Sequence, residues 1–224
     1  MYHFSFREIA PYLVQLPDAI WTTISLSVLT AILSGFLGIP GALARRSRWL
    51  LVRFIVGLYV EVMRNVPLLI VLYLVFFSLP QTGLRLDGFE SALIALTLNS
   101  SAYMIEIFRS GLIAIPRVQY EAAASQGMTR LQTLRLVVLP QVLRVVYGPI
   151  GNQLVGIVLG SSLASVVTVA EITSWMDTAG SATFRYFETF IVAGAAYLAI
   201  CQIINLARIL TGRLLFGRHA AASR

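Results

Sequence analysis

Four ionisable residues interrupt stretches of chain otherwise rich in Leu, Ile, Val and Ala: Glu61 and Arg64, then Glu106 and Arg109. Each pair is spaced i, i+3, which puts both members on one face of a helix. Asn99, Tyr103 and Glu106 share a face in the same way, at i, i+4 and i+7. Ionisable groups in apolar helices face a bundle interior or a water-filled cavity, because exposing them to hydrocarbon is costly. Two roles fit the spacing equally. The residues line a translocation pathway, Arg meeting a substrate carboxylate and Glu an amino group, or they form neutralised pairs that lock helices together or snorkel to the interface.

The remaining composition narrows the chemistry. All 17 basic residues are Arg. Without Lys the chain has no G-x-x-x-x-G-K-[ST] phosphate loop, no Schiff-base lysine and no lysine nucleophile. His3 and His219 lie near opposite ends, which argues against a histidine metal centre or a Ser–His hydrolase. Cys201 is the single cysteine and forms no internal disulfide.

These residues need elements to hold them, and the composition says which. Of 224 residues 58% are hydrophobic and 12% charged, with mean hydropathy +0.80, which excludes an ordinary soluble domain. A pI near 10 in so apolar a chain points to cytoplasmic loops of a membrane protein rather than to nucleic acid. Ala19–Ala44 and Val145–Ala170 carry no charge, nor does Thr189–Ala207. Five spans are predicted at about 19–44, 50–79, 91–115, 145–170 and 189–210, each long enough to cross roughly 30 Å of hydrocarbon as a helix. The N-terminal stretch shows neither a basic region nor a cleavage signature, so the first span is expected to be retained.

Arginine sets the expected orientation. With the N-terminus outside, the inner segments hold Arg45, Arg46, Arg48, Arg53, Arg117, Arg130, Arg135, Arg144, Arg208, Arg213, Arg218 and Arg224. The outer ones hold Arg7, Arg85 and Arg185, together with Glu8, Asp18, Asp87, Glu90, Glu171, Asp177 and Glu188. Gly156, Gly160, Ala164 and Thr168 recur every fourth residue, and Gly35, Gly38 and Gly41 every third, as close helix packing requires.

Residues 113–143 make an inner segment too long for a simple connection. Pro116 is placed to start a helix continued by Tyr120–Gln126, and Gly127 suits a left-handed stop. Thr129 and Gln132 form a capping-box pattern for a second helix. Leu131, Leu134, Leu136, Val138 and Leu139 give it an apolar stripe, and Pro140 is expected to end it.

Glu121-Ala122-Ala123, then Gly127, then Leu139-Pro140, resemble the EAA loop of binding-protein-dependent ABC importer permeases, where E-A-A, three residues, G and a later L-P recur. Thr22–Ser27, Tyr59–Arg64 with Pro67-Leu68-Leu69, Ala102-Tyr103 with Glu106 and Arg109, Pro140-Gln141, Asn152 and Ser161-Ser162-Leu163 resemble that family's polar amino acid branch. Asn65-Val66 stand where the branch usually has Gly-Thr, and Val118 where it has Gly. Leu159-Gly160 stand where it often has Lys-Asp. Loss of that acid argues against a cationic substrate, unless another subunit supplies the site.

The resemblance implies an all-α membrane protein of the type I ABC importer permease fold, a single transmembrane permease domain over 1–224, N-out and C-in. It implies ATPase coupling through the loop 116–140, at Glu121, Ala122, Ala123, Gly127, Leu139 and Pro140. It adds Ser161 and Ser162 to Glu61, Arg64, Asn99, Tyr103, Glu106 and Arg109 as the candidate substrate pathway. It also implies a non-enzymatic subunit of the bacterial cytoplasmic membrane that binds no cofactor. ATP and Mg would belong to two partner ATPase subunits, alongside a second permease subunit, an extracytoplasmic amino-acid-binding protein and an amino-acid substrate. A gated channel or membrane scaffold with a docking loop is the alternative, which a periodic polar ring would favour. The sequence offers clustered pairs instead.

Overall fold

Backbone polar groups have no water to bond in hydrocarbon, so a spanning chain must pair them internally. The computed structural model describes residues 3–217, and there the chain is helical with no strand. Arg218, His219 and Arg224 of the sequence reading lie outside the described residues. In chain order the helices are α1 (Leu16–Ala44), α2 (Leu50–Asn65), α3 (Leu68–Thr82), α4 (Gly88–Ile113), α5 (Arg117–Ser125), α6 (Arg130–Val167), α7 (Ile172–Thr183) and α8 (Tyr186–Phe216). Among them α1, α4, α6 and α8 are long and apolar enough to cross a membrane singly, and α2 with α3 reaches that length and apolarity only as a bent pair.

The 50–79 stretch read as the second span is bent, since α3 leaves α2 at 108°. Pro67 has no N–H and disfavours helical geometry in the residue before it. Val66 accordingly adopts an extended φ of −87° and ψ of 131°, and α2 stops at Asn65. Pro140 behaves in the opposite sense and corrects the sequence reading. It does not end a helix, and α6 runs unbroken from Arg130 to Val167. A π-helical turn at Thr133–Val138 lies just before it. Such a widened turn accommodates the proline ring and its missing donor without breaking the axis.

Small residues bring α1 against α4. A Cβ on Gly38 would lie 2.7 Å from Met104 Cβ, and one on Gly41 2.5 Å from the Ile105 side chain. Gly35 faces open space, so only two of the three predicted glycines pack. On α6 a Cβ on Gly160 would lie 3.3 Å from Leu68, whereas one on Gly156 would meet nothing within 4 Å. Leu26, Leu72, Ala92, Leu96 and Val167 join α1, α3, α4 and α6 in one core, and Ile172, Trp175, Ala179 and Ala193 join α7 to α8 in another. Arg185 clamps both carboxylate oxygens of Glu8 at 2.6 Å and bonds the His3 carbonyl, which ties the N-terminal segment to the α7–α8 connection.

Glu171 is fully buried where α6 hands over to α7. Its carboxylate caps α7 by accepting from Ser174 N at 2.9 Å, and accepts from the Tyr197 hydroxyl at 2.5 Å. Burial pushes this carboxyl above the usual carboxylate range. The folded protein therefore holds the proton more tightly than the unfolded chain. The resulting stabilisation is full below the ordinary carboxylate value and is lost as pH rises through the raised one. Glu171→Ala should lower stability by about 1–3 kcal/mol, since it leaves the Ser174 N–H without its acceptor and the Tyr197 hydroxyl with Thr173 alone. Glu171→Gln should stay near the wild type at low pH and flatten the decline with rising pH, read as thermal midpoints in detergent. A midpoint insensitive to both substitutions would rule this role out.

Candidate functional site

Two groups of residues meet the sequence expectations, one outside the apolar core and one within it. The first is the helical pair α5 and the start of α6. Pro116 occupies the N-cap position of α5 with φ −62° and ψ 145°. At the other end Gly127 N bonds Ala124 O at 2.9 Å and Met128 N bonds Ala123 O at 3.1 Å, with Gly127 at φ +73°. This is a Schellman stop, for which glycine alone has no steric penalty. Thr129 and Gln132 exchange both capping-box bonds, at 3.3 and 2.8 Å. Gln141 Nε2 reaches Gln119 Oε1 at 3.4 Å and joins the two helices.

Within this pair only Ala123 of the E-A-A stretch is buried, while Glu121 and Ala122 are exposed beside Val118 and Tyr120. Leu131, Leu134, Leu136 and Leu139 are also exposed, and Val138 is fully buried. Pro140 is exposed as well. The element thus presents a small-residue surface with apolar flanks, held by a helix stop followed directly by a capped helix start.

The second group surrounds the break between α2 and α3. Pro67 leaves the Met63 carbonyl without its helical donor, and Asn99 Nδ2 of α4 supplies one at 2.7 Å. Tyr59 bonds the Leu98 carbonyl at 2.7 Å and Ser101 at 2.6 Å, which holds α2 along α4. Arg64 lies over the Tyr103 ring, 5.4 Å from its centroid. Glu106 and Arg109 pair through three contacts of 2.6–3.0 Å, and Arg45 Nε stands 3.6 Å from the same carboxylate.

The Glu61–Arg64 pair that the spacing allows is not formed. Glu61 instead takes the Asn65 amide at 3.1 Å while Arg64 turns to Tyr103. Ser161 and Ser162 lie apart from this group, at the start of a 3-10 stretch, each hydroxyl bonding a carbonyl of its own helix at 2.7 Å. Sequence reasoning missed Arg45 as a partner of Glu106, because 61 residues separate them. Counted by charge alone, it was a loop arginine. The usable signal was Gly57, whose lack of a side chain admits the Arg45 guanidinium.

Comparison with known proteins agrees with this architecture. Residues 27–214 match the family described as binding-protein-dependent transport system inner membrane component. The chain is 35% identical over 196 residues to the probable amino-acid ABC transporter permease protein YckA of Bacillus subtilis (strain 168), covering 88% of this chain and 85% of that one. To the probable glutamine ABC transporter permease protein GlnM of the same organism it is 34% identical, covering 82% and 85%. The crystal structure of an amino acid ABC transporter with histidines superposes with a TM-score of 0.87 at 31% identity, over 95% of this chain and 99% of that one.

The chain belongs to the family of inner membrane components of binding-protein-dependent transport systems. It is a membrane-spanning permease subunit of an ABC importer, a transport subunit without an ATPase site of its own, in the bacterial inner membrane. Members of this family work with ATPase subunits, where nucleotide is bound, and with a solute-binding protein.

Asn99→Leu should cost about 1–3 kcal/mol by leaving the Met63 carbonyl unpaired in an apolar setting. The thermal midpoint of the purified subunit measures it. An unchanged midpoint would mean that another donor reaches Met63.

Proposed function

We propose that this subunit translocates polar amino acids, driven by two ATPase subunits that dock on α5 and the start of α6. The observation that carries the docking role is the α5 stop. Gly127 and the Thr129–Gln132 box fix the exposed Glu121-Ala122 surface rigidly to α6, with Leu139 and Pro140 on the same helix. A push there is delivered to the membrane core. The excess of arginine at the inner ends supports an N-out, C-in arrangement, with the whole chain serving as one permease domain. ATP and Mg then bind in the ATPases, a second permease subunit, identical or paralogous, completes the pathway, and an extracytoplasmic amino-acid-binding protein delivers substrate.

Glu61 and Arg64 support a pathway along α2. Both are exposed on the single chain, although they sit in an apolar crossing. Such charges avoid lipid, so this face borders water or the second permease subunit. Tyr103, Glu106 and Arg109 continue the polar surface on α4, with Asn99 supporting it from behind. Ser161 and Ser162 mark the α6 side. The amino-acid substrate follows from relatives whose names carry amino acids and glutamine, and from the side chains' capacity to pair with both ends of a zwitterion.

Gly127→Val puts a β-branched residue at a left-handed position, at a cost of roughly 1–2 kcal/mol confined to the stop. Nothing lies within 4 Å of its would-be Cβ, so the rest of the fold should be unaffected. The variant should insert normally, lose co-purifying ATPase and lose ATP-driven amino-acid uptake in proteoliposomes. Full uptake with a normal ATPase complement would exclude the docking role.

A further inference from the structure

Between the end of α1 and the outer face of α2 lies an open groove of about 410 Å³, lined by Arg45, Leu50, Arg53, Phe54, Gly57, Leu58 and Glu61. Arg53, Gly57 and Glu61 fall at i, i+4 and i+8, so they form one row along α2, with about 6 Å of rise between neighbours. A Cβ on Gly57 would lie 2.4 Å from Nη1 of Arg45, so that guanidinium rests on the glycine, between Arg53 and Glu61. The groove therefore presents guanidinium, guanidinium and carboxylate in that order.

None of these charges is fully committed. Arg45 Nε is buried without a hydrogen bond, and Glu106, 3.6 Å away, is already engaged by Arg109 through both its oxygens. Glu61 uses one oxygen for Asn65, and Arg53 is exposed. With two arginines against one carboxylate the empty groove carries a net positive charge. It has room for a ligand with a single net negative charge.

Resting on the amino-acid importer reading, we infer that this groove is an inner-end site for a dicarboxylic α-amino acid. Its side-chain carboxylate meets Arg53, its α-carboxylate meets Arg45 and its ammonium meets Glu61, while Phe54 and Leu58 cover its methylenes. Such a molecule carries a carboxylate at one end and a carboxylate with an ammonium on one carbon at the other, which suits Arg53 at one end of the groove and Arg45 with Glu61 at the other. A neutral amino acid leaves Arg53 unpaired, and a cationic one sets its side chain against Arg53. Selectivity at this point would therefore favour acidic substrates as they leave toward the inner side.

The test uses the intact complex with its permease and ATPase partners in nanodiscs, without binding protein, and radiolabelled L-glutamate as the probe. L-glutamate should bind saturably, L-glutamine should compete more weakly, and L-arginine should not compete. Arg53→Gln should reduce L-glutamate affinity to that for L-glutamine, a loss of roughly tenfold or more. Glu61→Gln should weaken both. Arg53→Glu should allow L-arginine to compete, a gain that misfolding cannot mimic, and Arg48→Gln serves as an arginine control outside the groove. Equal L-glutamate and L-glutamine binding in the wild type, or an unaltered preference in Arg53→Glu, would overturn the site. Amino-acid-stimulated ATP hydrolysis with binding protein is measured in parallel. If it persists when the site fails, the importer reading stands alone. If no amino acid stimulates it, both readings fall.

Discussion

The broken α2–α3 segment depends on one hydrogen bond, from Asn99 of α4 to the Met63 carbonyl of α2. Pro67 strips that carbonyl of its helical partner inside an apolar crossing, where no water can replace it. A donor from a neighbouring helix makes the break tolerable. With the break stabilised, α3 can turn through 108° and pack on the core of α1, α4 and α6, while α2 keeps its charged face outward. A straight span would have no such division between a buried half and a charged half. Asn99 thus serves the architecture directly, and any pathway role it has passes through the shape of α2.

Much of this was legible in the sequence, because the determining interactions are local. The capping box at Thr129 and Gln132, the glycine stop at 127 and the Glu106–Arg109 pair all span three or four residues, and all formed as the spacing requires. The Pro140 reading failed, and the break at Pro67 went unread, for a common reason. A proline removes one donor, but whether the helix breaks depends on what else can relieve the strain. At Pro67 the preceding residue went extended and a distant Asn supplied the missing donor. At Pro140 a π-helical turn relieved it within the same helix. Spacing along the chain carries no information about a donor on another helix.

Charge placement shows the same limit. Glu61 and Arg64 are suitably spaced for a pair, yet Asn65 competes for the carboxylate and the Tyr103 ring competes for the guanidinium. A ring face attracts a guanidinium by about 0.5–2 kcal/mol depending on desolvation, at or above the roughly 0.2–0.5 kcal/mol that a surface i, i+3 ion pair offers. The Tyr103 ring was not visible as a competitor without the α2–α4 contact, whereas Asn65 lies four residues from Glu61 on the same helix. Arg45 is a stronger case, since its position against Gly57 and Glu106 arises only when α1 ends beside both helices.

The unbroken α6 has a mechanical consequence. Its 38 residues make a single rod of about 57 Å at 1.5 Å per residue, reaching from the α5 stop to the buried Val167. The rod is not uniform. A π-helical turn lies near one end and a 3-10 stretch at the other, the latter closed by Thr168 in a left-handed conformation with φ 66°. Both irregular turns have poorer hydrogen-bond geometry than the α-helical middle, where Pro149 also removes one backbone donor. The α-helical stretch Leu139–Gly160 joins the two. At the 3-10 end the Val167 carbonyl lies so close to Gly88 that a Cβ on that glycine would sit 2.1 Å from it. Gly88 begins α4, the helix that holds Asn99, Tyr103, Glu106 and Arg109. The α5 end of the chain is thus joined to the polar face of α4 through one helix and one close backbone contact.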